Sequence, residues 1–284
     1  MARPHPETIS PTAHYTGYAW YAHGLSHEAF ATTTGRIMYH ALRGPNAVAH
    51  RANLPTLEGM LLARHHLIDL RLGQAIESGE ISQIIEVAAG LSPRGWRFRT
   101  RYGERITYIE ADLPGMLANK RRILAELGGE TPRHRTAEVN ALADDGPISI
   151  AGICETLDPT RGTAIITEGL INYFDTPTVV EMWGRFGKAL QRFPKSLYLS
   201  DLLLKQDNDG MFVAGFQWLV SAFVRGKVHL HFDSAEQAED ELVQCGLPGI
   251  LLDPRDFADA IPDLEPAGAS RVRIVEAMAA RASA

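Results

Sequence analysis

The strongest constraint on the fold is an alternation that begins near residue 82, where short β-rich runs take turns with helical ones. The β-rich runs are Gln83 to Ala89, Ile106 to Ala111, Thr136 to Val139, Ala164 to Thr167 and Ser196 to Leu199. Between them, Met116 to Leu127 reads as a helix closed by Gly128-Gly129, and Pro177 to Phe193 places Val179, Met182, Trp183, Phe186 and Leu190 on one face. Pro114 and Pro177 stand where a first helical turn tolerates proline. Strand, helix, strand in this order predicts a doubly wound α/β fold, a parallel sheet with helices on both faces. Upstream, residues 13 to 80 read as mostly helical. The clearest helix is Leu57 to Ile76, with Leu57, Met60, Leu61, Ile68, Leu72 and Ala75 at helical spacing, Thr56 as its cap and Glu58 in its first turn. The organisation expected is a helical region over 1–80 and an α/β core over 81–284, within one compact domain.

In sheets of this kind ligands bind beyond the carboxyl ends of the strands. After the first run comes Ile85-Glu86-Val87-Ala88-Ala89-Gly90, a small-residue turn that lets a ligand approach the backbone. Only Gly90 and Gly95 are glycines there, so the G-x-G-x-x-G dinucleotide fingerprint is absent. Asp112 ends the second run, 22 residues beyond Gly90. An acid at that spacing accepts both hydroxyls of a ribose, although Asp112 also suits the cap of the helix that follows Pro114. Asn140 and Ala141 follow the third run, where a polar residue meets an adenine edge, and Glu168-Gly169 follows the fourth.

Arg64 falls on the apolar stripe of its helix, between Leu57, Leu61, Ile68 and Ala75. A buried guanidinium needs an anion, and either a protein carboxylate or the carboxylate of a ligand serves. Arg71 lies near the same stripe.

The remaining composition narrows the class. A net charge of -6 with both signs interspersed argues against a nucleic-acid partner. Cys154 and Cys245 lie far apart and fit ordinary thiols in a reducing compartment. The longest apolar run, Met211 to Val224, falls short of the ~18 residues of a membrane span. No secretory signal is visible in Met1 to Thr12, so the expected compartment is the cytoplasm. His229-Leu230-His231 lacks a third ligand at good spacing, and no metal is expected.

Taken with their order and spacing, several segments over residues 62 to 173 resemble the leucine carboxyl methyltransferase family. Within it they resemble the bacterial branch that contains the tetracenomycin polyketide O-methyltransferase. The segments are Leu62-Ala63-Arg64, Ile85 to Trp96, Tyr108 to Pro114, Asn119-Lys120-Arg121-Arg122 and Thr167 to Tyr173. The resemblance implies a Rossmann-like class I methyltransferase sheet flanked by helices, an N-terminal helical lid, and S-adenosyl-L-methionine as cosubstrate. It implies that Arg64 holds the methionine carboxylate, Glu86 and Gly90 shape the turn beside it, Asp112 binds the ribose and Glu168 orients the amino group. Where the family often has aspartate after the third strand, this chain has Asn140, which offers adenine a different donor and acceptor set.

Methyl transfer from a sulfonium is an in-line displacement that mainly demands positioning. A carboxylate acceptor needs no base, whereas a phenol gains from one. The stretch Ala13 to Gly24 is dense in rings, and Tyr15, Tyr18 and His23 are the residues expected to face the acceptor, His23 as base; packing of the lid is the competing role. Met211 to Val224 is a second candidate pocket wall, or else a core helix or dimer surface. The expected partner is a small acceptor, a polyketide or aromatic acid of secondary metabolism, with self-association into a homodimer left open. Two rivals are a methyltransferase-like protein that only binds a ligand or partner, and an NAD(P)-dependent oxidoreductase. The second is disfavoured by the missing glycine fingerprint and the lack of a Tyr-x-x-x-Lys pair.

Overall fold

The computed structural model describes residues 11–208 and 229–280. Three helices come first: α1 (Pro11–Ala22), α2 (Thr33–Arg51) and α3 (Leu57–Glu77). The core then runs β1 (Gln83–Val87), α4 (Arg94–Tyr102), β2 (Thr107–Asp112), α5 (Pro114–Glu126), β3 (His134–Glu138), α6 (Ile150–Glu155), β4 (Thr163–Thr167), α7 (Thr176–Leu190) and β5 (Ser196–Leu202). It closes with α8 (Ala235–Gln244), β6 (Gly249–Leu252), α9 (Pro266–Ala269) and β7 (Arg273–Ala277). The expected α3 is present, with the Thr56 hydroxyl accepting from the Gly59 amide.

The seven strands are ordered β3-β2-β1-β4-β5-β7-β6. The first five pair in parallel, and β7 inserts antiparallel between β5 and β6. Every residue of β1 and β4 is buried, as expected of central parallel strands covered on both faces. Order reverses between β1 and β4, so the switch point lies at the carboxyl ends of these two strands.

Two details depart from the pattern in the sequence. The third strand starts at His134, two residues before the β-rich run at Thr136, and the buried His134 ring takes its place in the sheet through the bond of its Nε2 to Glu110. The strands β6 and β7 carry no comparable signal: β6 is a short, partly exposed edge, and β7 interrupts its apolar residues with Arg273 and Glu276. No described helix is long and apolar enough to cross a membrane. The candidate wall Met211 to Val224 lies outside the described residues.

One apolar layer joins α6, α7 and α8 to the sheet around Trp183, which is fully buried and stacks on Phe232 with centroids 5.4 Å apart. A second layer joins α3 and α4 to the other face through Leu67, Ile68, Leu72 and Phe98. Replacing Trp183 by alanine empties the centre of the first layer. Urea unfolding of Trp183→Ala is expected to show a loss of roughly 3–5 kcal/mol.

Candidate functional site

The turn after β1 is held from several sides. Gly90 has φ +48° and the non-glycine Ala88 has φ +55°, both in the left-handed region. A backbone this strained persists only where its surroundings impose it. The Asp112 carboxylate, at the end of β2, accepts from the Gly90 amide at 2.7 Å and from the Leu113 amide at 2.7 Å. From below, the buried Lys120 of α5 donates to the Ser92 carbonyl at 2.6 Å and pairs with Glu110. Glu110 accepts a further bond from His134 Nε2 at 2.6 Å. Burial alone would raise the Glu110 carboxyl, but Lys120 and His134 hold it below its ordinary value. For Asp112 burial prevails over the two backbone bonds, and its carboxyl is raised.

Across the switch point lies a buried charge cluster. Arg94 opens α4 with no exposed surface and its guanidinium reaches Asp69, Glu86 and Glu168. Glu86 also accepts from the Ser92 hydroxyl and the Tyr108 phenol, each at 2.8 Å. Glu168 accepts from Arg64 Nε at 3.0 Å and from His65 Nδ1 at 3.0 Å. Arg64 Nη1 donates to Asp201 at 2.9 Å, so both readings of its partner are narrowed to protein carboxylates for Nε and Nη1. Its Nη2 borders Gly169, where a Cβ would stand 3.0 Å away. Despite complete burial, His65, Arg94 and Arg64 hold Glu168 well below the usual carboxylate range. Arg71, by contrast, reaches Glu276 and ties α3 to β7.

The helix α1 lies over this ground. At Gly17 a Cβ would approach the Leu91 side chain to 3.2 Å, which brings the helix onto the β1 turn. The Trp20 ring packs on His65 with centroids 4.7 Å apart, and the Thr12 hydroxyl meets the Tyr173 phenol at 3.2 Å. The sequence-predicted acceptor residues gather on another side of α1, against α2 and α3. His23 Nε2 donates to Glu58, which also accepts from Tyr39 at 2.8 Å and Asn46 at 3.3 Å. Tyr15 is buried beside them and Tyr18 packs edge-on to Tyr21 and His40. His23, Tyr39 and Glu58 open on a cavity of about 310 Å³ between α2, α3 and residues 261–265. Glu58 precedes Arg64 by six residues, hence about 9 Å along the α3 axis and roughly 120° around it.

Thus Glu86, Gly90, Asp112, Arg64 and Glu168 come together at the carboxyl edge of the sheet. Asn140 lies at the same edge but is exposed, and its Oδ1 accepts from the Leu142 amide at 3.1 Å, closing its own turn. Ala141 is half-buried against the core. His231 binds the Ile171 carbonyl and Thr176, and His229 stacks beside it; both imidazoles belong to the packing of this segment. Sequence reasoning missed Arg94, His65, Asp69, Lys120 and Asp201 as parts of the site. Arg94 carried a usable signal: it shares a helical stripe with Phe98 and Tyr102, just as Arg64 does with its leucines.

The residues fit a nucleoside carrying an amino-acid tail. Asp112 uses one lone pair of each oxygen on backbone amides and keeps others for vicinal hydroxyls. Arg64 Nη2 offers a donor beside an unobstructed glycine.

Known proteins point the same way. A family model described as leucine carboxyl methyltransferase matches residues 19–184, more than half of the chain. A protein of Mycolicibacterium smegmatis described as a candidate S-adenosyl-L-methionine-dependent methyltransferase is 35% identical over 118 residues, 40% of this chain and 35% of its own length. The match thus spans about a third of that relative. A candidate methyltransferase of Thermobifida fusca superposes over 96% of this chain and 98% of its own, with a TM-score of 0.61 at 13% identity. A DUF574-family protein of Streptomyces avermitilis does so over 98% and 100%, with a TM-score of 0.63 at 15% identity. At these identities the two structures establish the shared fold.

The depressed carboxylates set a pH dependence. A carboxyl lower in the folded state contributes stability above its unfolded value of 4.5, and loses it as pH falls toward the folded value. Glu110→Gln is therefore expected to be less stable near pH 7 and to show a shallower fall of stability below about pH 4.5, in urea unfolding followed across pH.

Proposed function

The chain belongs to the leucine carboxyl methyltransferase family, and from that premise we propose that it is an S-adenosylmethionine-dependent O-methyltransferase acting on a small molecule. The observation that carries this reading is the convergence of Gly90, Asp112, Arg64 and Glu168 on adjacent strand ends beneath α1. Bound S-adenosylmethionine supplies an electrophilic methyl group on a sulfonium. Asp112 would take the ribose hydroxyls and the Gly90 turn would lie beside the methionine part. Arg64 Nη2 would meet the carboxylate, and Glu168 would attract the ammonium. Asn140 and Ala141 would border the adenine. With α1 over the turn, water is kept from the reacting centre and the acceptor is brought in line.

On the acceptor side, His23 is the proposed base. Its Nε2 is given to Glu58, which leaves Nδ1 for a substrate proton. Burial, which would raise the Glu58 carboxyl, is outweighed by the bonds from His23 and Tyr39, so Glu58 stays ionised and orients the ring. Burial and the Glu58 charge push the Tyr15 phenol up, and burial with the Tyr39–Glu58 bond does the same for Tyr39. These phenols therefore act as donors, and Tyr18 contributes a ring to the same wall. The finer reading is a carboxylate or hydroxyl of a polyketide or aromatic acid, as in the tetracenomycin branch, in the cytoplasm, with no nucleic-acid or membrane partner. The sequence motifs support it, as does the net charge of -6.

Calorimetric titration tests the cosubstrate. S-adenosylhomocysteine is expected to bind and NAD not to, and Asp112→Ala is expected to weaken the binding at least about tenfold. Absence of binding to folded wild-type protein would sink the methyltransferase reading and favour a role in binding some other partner. For the base, His23→Ala is expected to lower kcat on a phenolic acceptor by roughly 10²–10⁴ and to spare a carboxylate acceptor. A turnover number unchanged across pH on the phenol removes His23 from the mechanism.

A further inference from the structure

We infer that Asp201 is the positioning residue that builds the amino-acid subsite of the cosubstrate. The inference rests on the cosubstrate reading above. Asp201 lies in β5 with 3% of its surface exposed. One oxygen accepts from Arg64 Nη1 at 2.9 Å and the other from the Gly169 amide at 2.6 Å. A single carboxylate therefore fixes both walls of the subsite: the guanidinium on one side and, on the other, a glycine turn with φ +67°. Arg64 Nη2 is left facing that turn.

Charge balance argues that this is more than a structural ion pair. Glu168 is shared among Arg64, Arg94 and His65, and burying a further carboxylate beside Arg64 is costly unless geometry is gained. Moreover, a ligand carboxylate reaching Nη2 meets a guanidinium that bears two acids. An ammonium on the same ligand restores the balance, because Asp201 and Glu168 both present oxygens at the strand ends.

The test compares S-adenosylhomocysteine with 5′-methylthioadenosine, which lacks the carboxylate and ammonium, by calorimetry on the full chain. In Asp201→Asn, affinity for S-adenosylhomocysteine is expected to fall about tenfold, the scale of one charge-assisted hydrogen bond, while that for methylthioadenosine stays within about twofold. In an Arg64→Ala background the further loss caused by Asp201→Asn is expected to shrink toward nothing, since the residue acts through Arg64. Equal losses for both ligands, or no loss for either, would overturn the inference. Asp201→Ser takes the place of the asparagine variant if the latter does not fold, with the same two outcomes. Wild-type protein that binds methylthioadenosine as tightly as S-adenosylhomocysteine also overturns it. Failure of the wild type to bind either compound is instead a failure of the cosubstrate reading.

Discussion

The guanidinium of Arg94 is the interaction on which the rest of the site depends. It meets carboxylates from α3, β1 and the β4 end at once. Deleting it would leave Asp69, Glu86 and Glu168 facing each other in a region closed to water, where an unpaired charge costs several kcal/mol. The arrangement fixes the distance between the β1 turn and the β4 turn, and so the width of the cleft that separates them. Arg64 and Asp201 extend the same lattice of charge toward β5, and His65 carries it up to Trp20 in α1. Lys120 and Glu110 form a second, smaller pair beneath the Gly90 turn. Neither pair is needed to neutralise the other, so each half of the cleft has its own support.

Much of this architecture was legible in the residues. Periodicity located the central strands and α3, because those elements are either wholly buried or have one buried face. The residues gathered at the strand ends were legible for a related reason: the switch point makes strand ends the place to look. What escaped notice was polar burial. His134 and Arg94 are charged or polar residues buried against carboxylates from other elements, Glu110 24 residues away for the first and Glu168 74 residues away for the second. Asp201 escaped for the same reason, since its partners are 137 and 32 residues distant. The edge strands β6 and β7 were invisible because their pairing, rather than their own apolar content, defines them.

The acceptor side shows a different balance between pattern and geometry. The density of rings between residues 13 and 24 marked α1 as unusual, and the structure distributes those rings between two tasks. Trp20 faces the charge cluster, whereas Tyr15 and His23 turn toward Glu58 and the cavity beside α2. One short helix thus has a part that faces the charge cluster and a part that faces the cavity. Such a division follows from helical geometry: Tyr15 and Trp20, five residues apart, lie about 140° apart around the axis.

The insertion of β7 between β5 and β6 has a consequence for the order in which the molecule assembles. The helices over the cleft are made before the sheet, yet some of their fixed partners come from well beyond them in sequence. Thr56 bonds to Glu265 across 209 residues and Arg71 to Glu276 across 205. Contacts of such separation form late, because a long loop must close before they are rewarded. Part of the apolar stripe of α3 therefore stays uncovered until β7 has joined the sheet. For this chain the period of greatest exposure to aggregation and proteolysis falls before the last strand is in place.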